Sequence, residues 1–329
     1  HSFANDPDRG LYLLGFISII VFTSIYLFIF RLPTIKGSGR IKKFSKESFI
    51  SINNIFFGTL IFSVMLGVTY PLIYEFLFDQ KISVGAPFYN AIFIPIVVLA
   101  SFFLFFSVDS KWSRKINFKF FKTPIFLSSF FSIITVIYIS DRFNSSNIAI
   151  LISIFAGAII IFRYIYEILD SLLNKKYINP YSVIAHMALG LLLVSISFNS
   201  LLSTERAINI KINEYEEYKD LKIYFDDIRV LKNSNNDSIK ATFLIEDAKG
   251  KKFNLSPEKR RYFTRGQITT ETAIYIMPLK DIYMTIGDQL DDGSWIVNIQ
   301  INYLIRFIWF SAALMSFAGI ILVFSNRRA

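Results

Sequence analysis

The sequence contains no cysteine and only two histidines, His1 and His186. Without cysteine the chain can form no disulfide and offers no thiolate to a metal or a substrate. A zinc or copper site needs several nitrogen, sulfur or carboxylate ligands close together, and the residues around His186 supply no others. Chemistry based on nitrogen ligands is therefore confined to these two positions, or to groups that another chain brings.

Other absences exclude further classes of protein. No Asp or Glu lies centrally in any long apolar run, so a proton relay through the membrane lacks the groups it needs. The segment 202–302 has no histidine and no glycine-rich phosphate loop. The net charge of +10 comes from loops between apolar runs and not from a basic stripe with interleaved aromatic residues, so no nucleic-acid partner is expected.

Long apolar runs dominate the composition, which is 53% hydrophobic. A helix needs about 20 apolar residues to cross a hydrocarbon core of about 30 Å. Seven runs qualify, the fourth being the shortest: Leu11–Phe30, Asn54–Phe78, Phe88–Ser107, Pro124–Ile139, Asn147–Leu169, Tyr181–Leu201 and Tyr303–Phe324. The sequence therefore predicts an all-α polytopic membrane bundle that contacts lipid.

The positive charges orient this bundle. If His1 is placed outside and the helices alternate, almost every lysine and arginine of the short loops falls on the inner side. That asymmetry is the positive-inside rule, and it also predicts that 202–302 lies outside. Arg163 lies within the fifth run near its inner end, with Glu167 four residues on, and is predicted to snorkel as a paired cation.

The segment 202–302 has a different pattern. Period-two alternation and turn residues predict an antiparallel β-domain inserted before the last helix, with strands at Ile223–Leu231, Ile239–Asp247, Lys252–Ser256, Glu271–Met277, Asp281–Gly287 and Ser294–Asn302. Its carboxylates, such as Glu258 and Asp281, could pair for acid–base work but are interpreted as solvated side chains on faces and turns. The domain itself is interpreted as a docking or scaffolding surface. The predicted order is an outer loop (1–10), six helices (11–201), the β-domain (202–302), a seventh helix (303–324) and a basic cytoplasmic tail (325–329).

His186 lies in the apolar run YSVIAHMALGLLLVSISFNS, where an imidazole is costly in lipid and indicates a functional site. A hydrogen bond between two membrane helices is one explanation. Haem ligation is the other, because haem needs only one or two axial groups from the protein. Composition leaves both open.

His1 is expected to belong to a separate site. It precedes an entire span and lies outside, whereas His186 is near the inner end of its helix, about 20 Å from the outer surface at 1.5 Å per residue. A histidine beside the loop Asn5–Gly10 could also cap a turn. The sequence opens without Met inside this loop, so we expect that it continues something longer.

Six strings along the chain, in order, closely resemble the C-terminal half of the CcmF family, the haem lyases of the System I cytochrome c maturation pathway. They are HSFANDPDRG, RLPTIKGSGR, SINNIFFGTLIFSVMLGVTYPL, KISVGAPFYN, SPEKRRYFTRGQITTETAI and DIYMTIGDQLDDGSWIVNIQINYLIRFIW. The resemblance implies covalent attachment of haem to apocytochrome c in a bacterial or mitochondrial inner membrane. A paralogue that serves another c-type cytochrome would share these strings.

The resemblance also assigns roles to residues. His186 would be an axial ligand of a resident intramembrane haem b, and His1 would be a ligand of the haem being delivered. Asp6, Pro7, Arg9 and Gly10 match the motif next to His1 and would shape its loop. The β-domain would lie outside the membrane and engage partner subunits.

Parts of the family pattern are missing. The tryptophan-rich WWD segment and the partner histidines of both pairs are absent and would lie upstream of His1. The resemblance therefore implies an N-terminal half that carries them, and a chain that is inactive alone. Its other implied partners are a haem chaperone, apocytochrome c and the thiol-reducing maturation subunits.

Two rival functions need no haem. Pro95 and the stretch ending at Pro71 could break helices around a substrate site, as in transporters or channels, although no matching halves are visible. A purely structural membrane subunit is the other rival.

Overall fold

The computed structural model describes residues 7–34, 41–78, 80, 82–108, 110–114, 122–263, 266 and 268–325. Within these ranges it contains seven long helices and ten strands. The helices are α1 (Pro7–Arg31), α2 (Lys46–Phe78), α3 (Ala86–Ser107), α4 (Lys122–Arg142), α5 (Ile148–Asn174), α6 (Pro180–Leu202) and α7 (Ile305–Ser325). A short 3-10 turn, Leu32–Thr34, follows α1.

All seven helices are long and apolar enough to cross a membrane, as predicted. Many large apolar side chains on α1, α2, α4 and α7 are exposed, as expected for helices that contact lipid or other membrane helices. The proline-induced breaks that a transporter would need are not found, because α2 continues through Pro71 and α3 through Pro95. The chain is therefore a multi-pass membrane protein built on continuous helices.

The first helix begins earlier than the predicted loop allows. Pro7, Arg9 and Gly10 belong to the first turns of α1 and not to a loop, because proline suits a helix start, where its missing N–H is not needed. His1 and Asp6 lie outside the described residues. The second helix also begins earlier than predicted, at Lys46, because its polar first turns precede the apolar run.

The centre of the bundle is α5, which packs against α3, α4 and α6. It begins at the cap residue Asn147, whose side chain accepts a hydrogen bond from the backbone N–H of Ile150 (3.3 Å). It ends at Lys175, which adopts a left-handed conformation. Helix α6 also begins after an asparagine cap, Asn179, and in addition has a proline, Pro180, at its first position.

Arg163 differs from its prediction in one respect. It pairs with Glu167 at 2.7 Å, as expected, but its side chain is only 1% exposed and does not snorkel. Its guanidinium lies over the rings of Phe105 and Tyr166, 5.8 and 5.9 Å from their centroids. The contact of α3 with α5 encloses this cation, so aromatic faces and a carboxylate replace water around it.

The β-domain lies between α6 and α7 and consists of two antiparallel sheets. Its strands are β1 (Thr204–Ile210), β2 (Tyr215–Tyr218), β3 (Leu221–Lys232), β4 (Asn236–Asp247), β5 (Lys252–Leu255), β6 (Glu258–Tyr262), β7 (Ile268–Glu271), β8 (Ala273–Ile276), β9 (Lys280–Gln289) and β10 (Trp295–Tyr303). One sheet has the order β1-β10-β9-β8, and the other β2-β3-β4-β6-β7 with β5 also on β4. Alternate residues from both sheets form one core, in which Phe225 stacks on Phe243 at 4.4 Å. The fold is a β-sandwich.

The prediction of this domain missed strands and merged two others. The missed strands are β1, β2 and β6. Only the end of β1 alternates, with Ile208 and Ile210 in the core. β2 is YEEY, and β6 is EKRRY and makes ion pairs such as Lys240–Glu258. The predicted strand Glu271–Met277 is in fact the end of β7 and all of β8, which belong to different sheets.

The prediction that Asp281 is solvated was wrong, because it is 5% exposed and pairs with Arg306. Glu258 pairs with Lys240 and Arg260, so the two carboxylates do not act together as an acid–base pair.

Candidate functional site

The crossing of α5 and α6 positions His186. Gly157 and Gly190 face each other there, and a Cβ atom built on Gly157 would lie 2.8 Å from the carbonyl oxygen of Gly190. The two backbones can approach this closely only because neither residue has a side chain. One turn away on α6 is His186, and two turns away on α5 is Tyr164, so the glycine contact brings these two side chains together.

The imidazole of His186 is fixed through its Nδ1 atom. This nitrogen lies 2.7 Å from the backbone oxygen of Ser182, one turn earlier on α6, and 2.8 Å from the hydroxyl of Tyr164 on α5. The hydroxyl of Ser182 is 3.2 Å away. A carbonyl oxygen can only accept, so the tautomer with a proton on Nδ1 satisfies the contact with Ser182, whereas the other tautomer would accept a hydrogen bond from one of the two hydroxyls.

In the Nδ1–H tautomer the other ring nitrogen, Nε2, keeps its lone pair. Within the described residues, the hydrogen bonds of the ring all involve Nδ1. The ring of Tyr164 stacks on the imidazole with an interplanar angle of 13° and restrains its rotation. An oriented neutral imidazole, with Nδ1–H on a carbonyl and a free Nε2, is the arrangement that metal-ligating histidines adopt.

His186 lines a cavity of about 400 Å³ between α2, α3, α5 and α6. This volume is within the range of about 300–1,000 Å³ typical of cofactor sites. Phe49, Phe56 and Phe103 form much of the apolar wall, with Phe56 and Phe103 5.7 Å apart between ring centroids. Polar side chains also line it, among them Lys46 and Asn179.

These features can be tested against the groups that a histidine could hold. The described residues contain no cluster of three His, Cys, Asp or Glu side chains that could bind a metal ion. A cofactor that brings most of its own ligands and needs one nitrogen, apolar walls and a few polar contacts does fit. The donor set of this cavity therefore suits haem better than a bare ion.

The site lies far from the β-sandwich. His186 is near the start of α6, and the sandwich begins after Leu202, about 24 Å further along the helix at 1.5 Å per residue. The second predicted site residue, His1, lies outside the described residues, as does Asp6. The backbone of Pro7, Arg9 and Gly10 lies at the start of α1, and nothing in the described structure joins these residues to the cavity.

Two residues of the site were not predicted from the sequence. Ser182 could have been found, since it lies four residues before His186, where its carbonyl faces the imidazole on the same side of the helix. Tyr164 could not, because it comes from another helix, and the register of α5 on α6 depends on the glycine contact.

The role of Tyr164 can be tested with Tyr164→Phe, which keeps the stacked ring and removes one of the acceptors around Nδ1. Loss of such a contact typically weakens metal binding about tenfold or more, so we expect reduced haem content in the purified protein and a shifted midpoint potential. Tyr166→Phe, one residue away on α5, is the matched control and should change neither. Equal haem content and potential in wild type and Tyr164→Phe would show that Ser182 alone orients the imidazole.

The fold and the site together define a class of protein: a polytopic membrane protein that has a β-sandwich before its last helix and an oriented histidine in a cavity within the bundle. Comparison with known proteins shows which family this chain resembles. Residues 201–302 match the family model described as "CcmF C-terminal beta-sandwich". The chain is also 26% identical over 340 residues to the cytochrome c-type biogenesis protein CcmF of Pseudomonas aeruginosa, covering 99% of this chain and 51% of that protein.

Other relatives agree. CcmF of Escherichia coli is 26% identical over 333 residues, which are 99% of this chain and 51% of that protein. The cytochrome c-type biogenesis protein NrfE of Haemophilus influenzae is 24% identical and is covered to 52%. A solved structure titled "Cytochrome c Heme Lyase CcmF" shares the fold, with a TM-score of 0.65 and 15% identity over 85% of this chain and 46% of that one.

Residues 201–302 therefore match the CcmF C-terminal β-sandwich, and nearly the whole chain is similar to the C-terminal half of CcmF proteins. The chain spans about half the length of the curated relatives it matches.

Proposed function

We propose that this chain is the C-terminal part of a haem lyase, in which His186 is an axial ligand of a b-type haem held within the membrane. The observation that carries the proposal is the state of His186: Nδ1 is tied to Ser182 and Tyr164, which leaves Nε2 free on a ring that lines the cavity. The relatives named as cytochrome c biogenesis proteins give the chemical setting in which such a ligand is useful.

The residues of the chain have distinct parts in this function. His186 binds the iron, Tyr164 and Ser182 orient the imidazole, and the phenylalanines of the cavity exclude water. A bound haem would keep the delivered haem iron or the thiols of the apocytochrome reduced. Its own reduction potential would depend on the axial ligands and on the surroundings of its iron. In the attachment itself, each of two thiols of the apocytochrome adds across a vinyl group of the delivered haem, with sulfur on one carbon and hydrogen on the other.

The nucleophile belongs to the substrate, so the lyase needs no catalytic residue of its own and acts by positioning the reactants. His1 would ligate the delivered haem, with Asp6, Pro7, Arg9 and Gly10 beside it. The remaining ligands and the WWD segment would come from an N-terminal half, because the relatives are about twice as long. The described side chains of α1 are exposed, apart from half-buried Ser18, which leaves room for that half. Without it the chain would be inactive.

The orientation in the membrane follows from charge. Basic residues lie in the loops at the end of the bundle opposite the β-sandwich, among them Lys42, Lys111, Arg114, Lys175 and Lys176. By the positive-inside rule this end is cytoplasmic. The sandwich and His1 would then face the periplasm or intermembrane space, where haem chaperone, apocytochrome and thiol-reducing subunits would meet them.

The test is to express the chain with an N-terminal half of the family, purify the complex and record a pyridine-haemochrome spectrum. Covalent haem on a co-expressed apocytochrome is measured in parallel by haem staining. A b-type spectrum together with holocytochrome formation is expected from the complex. The N-terminal half expressed alone is the control. A complex that forms holocytochrome without any b-type haem would overturn the proposed role of the cavity, and a complex inactive in both assays would overturn the lyase function.

A further inference from the structure

The β8–β9 hairpin lies level with the start of the last membrane helix. Its final turn residue, Leu279, accepts a hydrogen bond at its carbonyl from the backbone N–H of Leu304 (2.9 Å). Next to it, Lys280 at the start of β9 pairs with Tyr303 at the end of β10. Because α7 begins at Ile305, the hairpin turn is held at the height where the chain enters the membrane.

Side chains hold the turn firmly in this position. Asp281 is only 5% exposed, and its Oδ1 atom accepts hydrogen bonds from the backbone N–H of Met277 and pairs with Nε of Arg306, both at 3.3 Å. The ammonium group of Lys280 lies 6.0 Å from the ring centroid of Tyr303. These contacts join the hairpin to the first turn of α7, so the two elements move as one unit.

The same hairpin exposes three large apolar side chains. Ile274 and Ile276 alternate on the outer face of β8 and are 49% and 55% exposed, and Leu279 in the turn is 61% exposed. Leaving such a group in water forgoes about 25 cal/mol for each Å² of apolar area that could be buried. The hairpin is flanked by Lys280, Tyr303 and Arg306, and basic and aromatic residues of this type are enriched at the membrane–water interface.

We propose that Ile274, Ile276 and Leu279 form a lipid-contacting patch that inserts into the boundary between headgroups and acyl chains. The occupant is lipid, because the patch is continuous with the membrane surface that α7 enters. The consequence is a defined tilt of the β-sandwich relative to the bilayer, set by two attachments: the helix pair α6–α7 and the inserted hairpin.

The absence of cysteine makes the proposal directly testable, since a single introduced cysteine carries the only nitroxide label on this chain. The variant is Leu279→Cys, and Leu290→Cys is the matched control. Leu290 is also an exposed leucine, but it follows the far end of β9, about 36 Å away at the usual rise of a strand. Both are labelled in the complex with a cysteine-free N-terminal half, in nanodiscs of phosphatidylcholine and phosphatidylglycerol.

The measurement is the accessibility of each label to oxygen, which concentrates in lipid, and to a water-soluble nickel chelate. We expect the label at Leu279 to collide mainly with oxygen and the label at Leu290 mainly with nickel. Ile276→Cys should behave like Leu279→Cys. A label at Leu279 as accessible to nickel as that at Leu290 would place the hairpin in water, and a label shielded from both reagents would show that protein covers it. Either outcome overturns the proposal.

Discussion

His186→Ala is expected to abolish the b-type haem spectrum of the purified complex. Within the described residues His186 is the only histidine, so replacing it leaves the cavity without an imidazole. Alanine removes Nε2 together with the Nδ1–H that Ser182 and Tyr164 hold. A ligand from the other half of the protein would then hold the iron from one side only, and haem would be lost during purification. Pyridine-haemochrome content per complex is the measurement.

A cavity variant separates ligation from folding. His186→Gly leaves a hole that free imidazole can enter, so adding imidazole should restore a low-spin spectrum if the only defect is the missing ligand. Ile196→Ala on the same helix removes an exposed apolar side chain and should keep full haem content. Unchanged haem in His186→Ala would leave this residue with helix packing as its only role. The proposed haem site would then have to be abandoned, although the similarity to CcmF proteins would stand.

The helical architecture could be predicted because a membrane places simple requirements on the sequence of a helix that crosses it. A helix in lipid must satisfy its own backbone and present apolar residues over about 20 positions, and the seven runs do so. The boundaries were less predictable. Polar first turns, as at Lys46 and Glu47, continue α2 beyond the bilayer, and no hydropathy pattern marks where they begin.

The β-sandwich shows where alternation fails as a signal. Strands β9 and β10 place Ile282, Met284 and Val297 in the core and were predicted. Strand β6 makes ion pairs with neighbouring strands, from Glu258 to Lys240 and from Arg260 to Glu271, and has few apolar residues to count. The break between β7 and β8 at Thr272 depends on which sheet each half joins, and this is a tertiary property that no local window contains.

The candidate site was half predictable for a similar reason. A histidine in an apolar run is conspicuous because of its cost in lipid, so His186 could be chosen from the sequence alone. Its partner Tyr164 is one of many aromatic residues in the spans, and only the helix register distinguishes it. That register depends on two glycines whose importance is visible only once α5 and α6 are packed.

Gly190→Ala is expected to destabilise the bundle and to disturb the haem site at the same time. The added Cβ would lie 2.8 Å from Cγ1 of Ile161 and 2.9 Å from the carbonyl oxygen of Gly157. The carbonyl oxygen of Gly157 cannot move to another rotamer as a side chain can, so α5 and α6 must separate. Overpacking of this kind costs about 1–3 kcal/mol. Gly157→Ala meets the same crossing from the other side and should have the same effect.

The controls are glycines on other helices. A Cβ atom on Gly58 in α2 or Gly319 in α7 meets no atom within 4 Å among the described residues. Alanine there should be neutral or stabilising by up to about 1 kcal/mol, because it favours the helix. The stability changes of the two pairs of variants should therefore have opposite signs. Unfolding midpoints in detergent measure them and separate the effect of close packing from that of helix propensity. Haem spectra add the functional reading: only variants at the crossing should move Tyr164 away from His186 and shift the spectrum. If all four variants behaved alike, the glycine contact would not be what sets the register of the site.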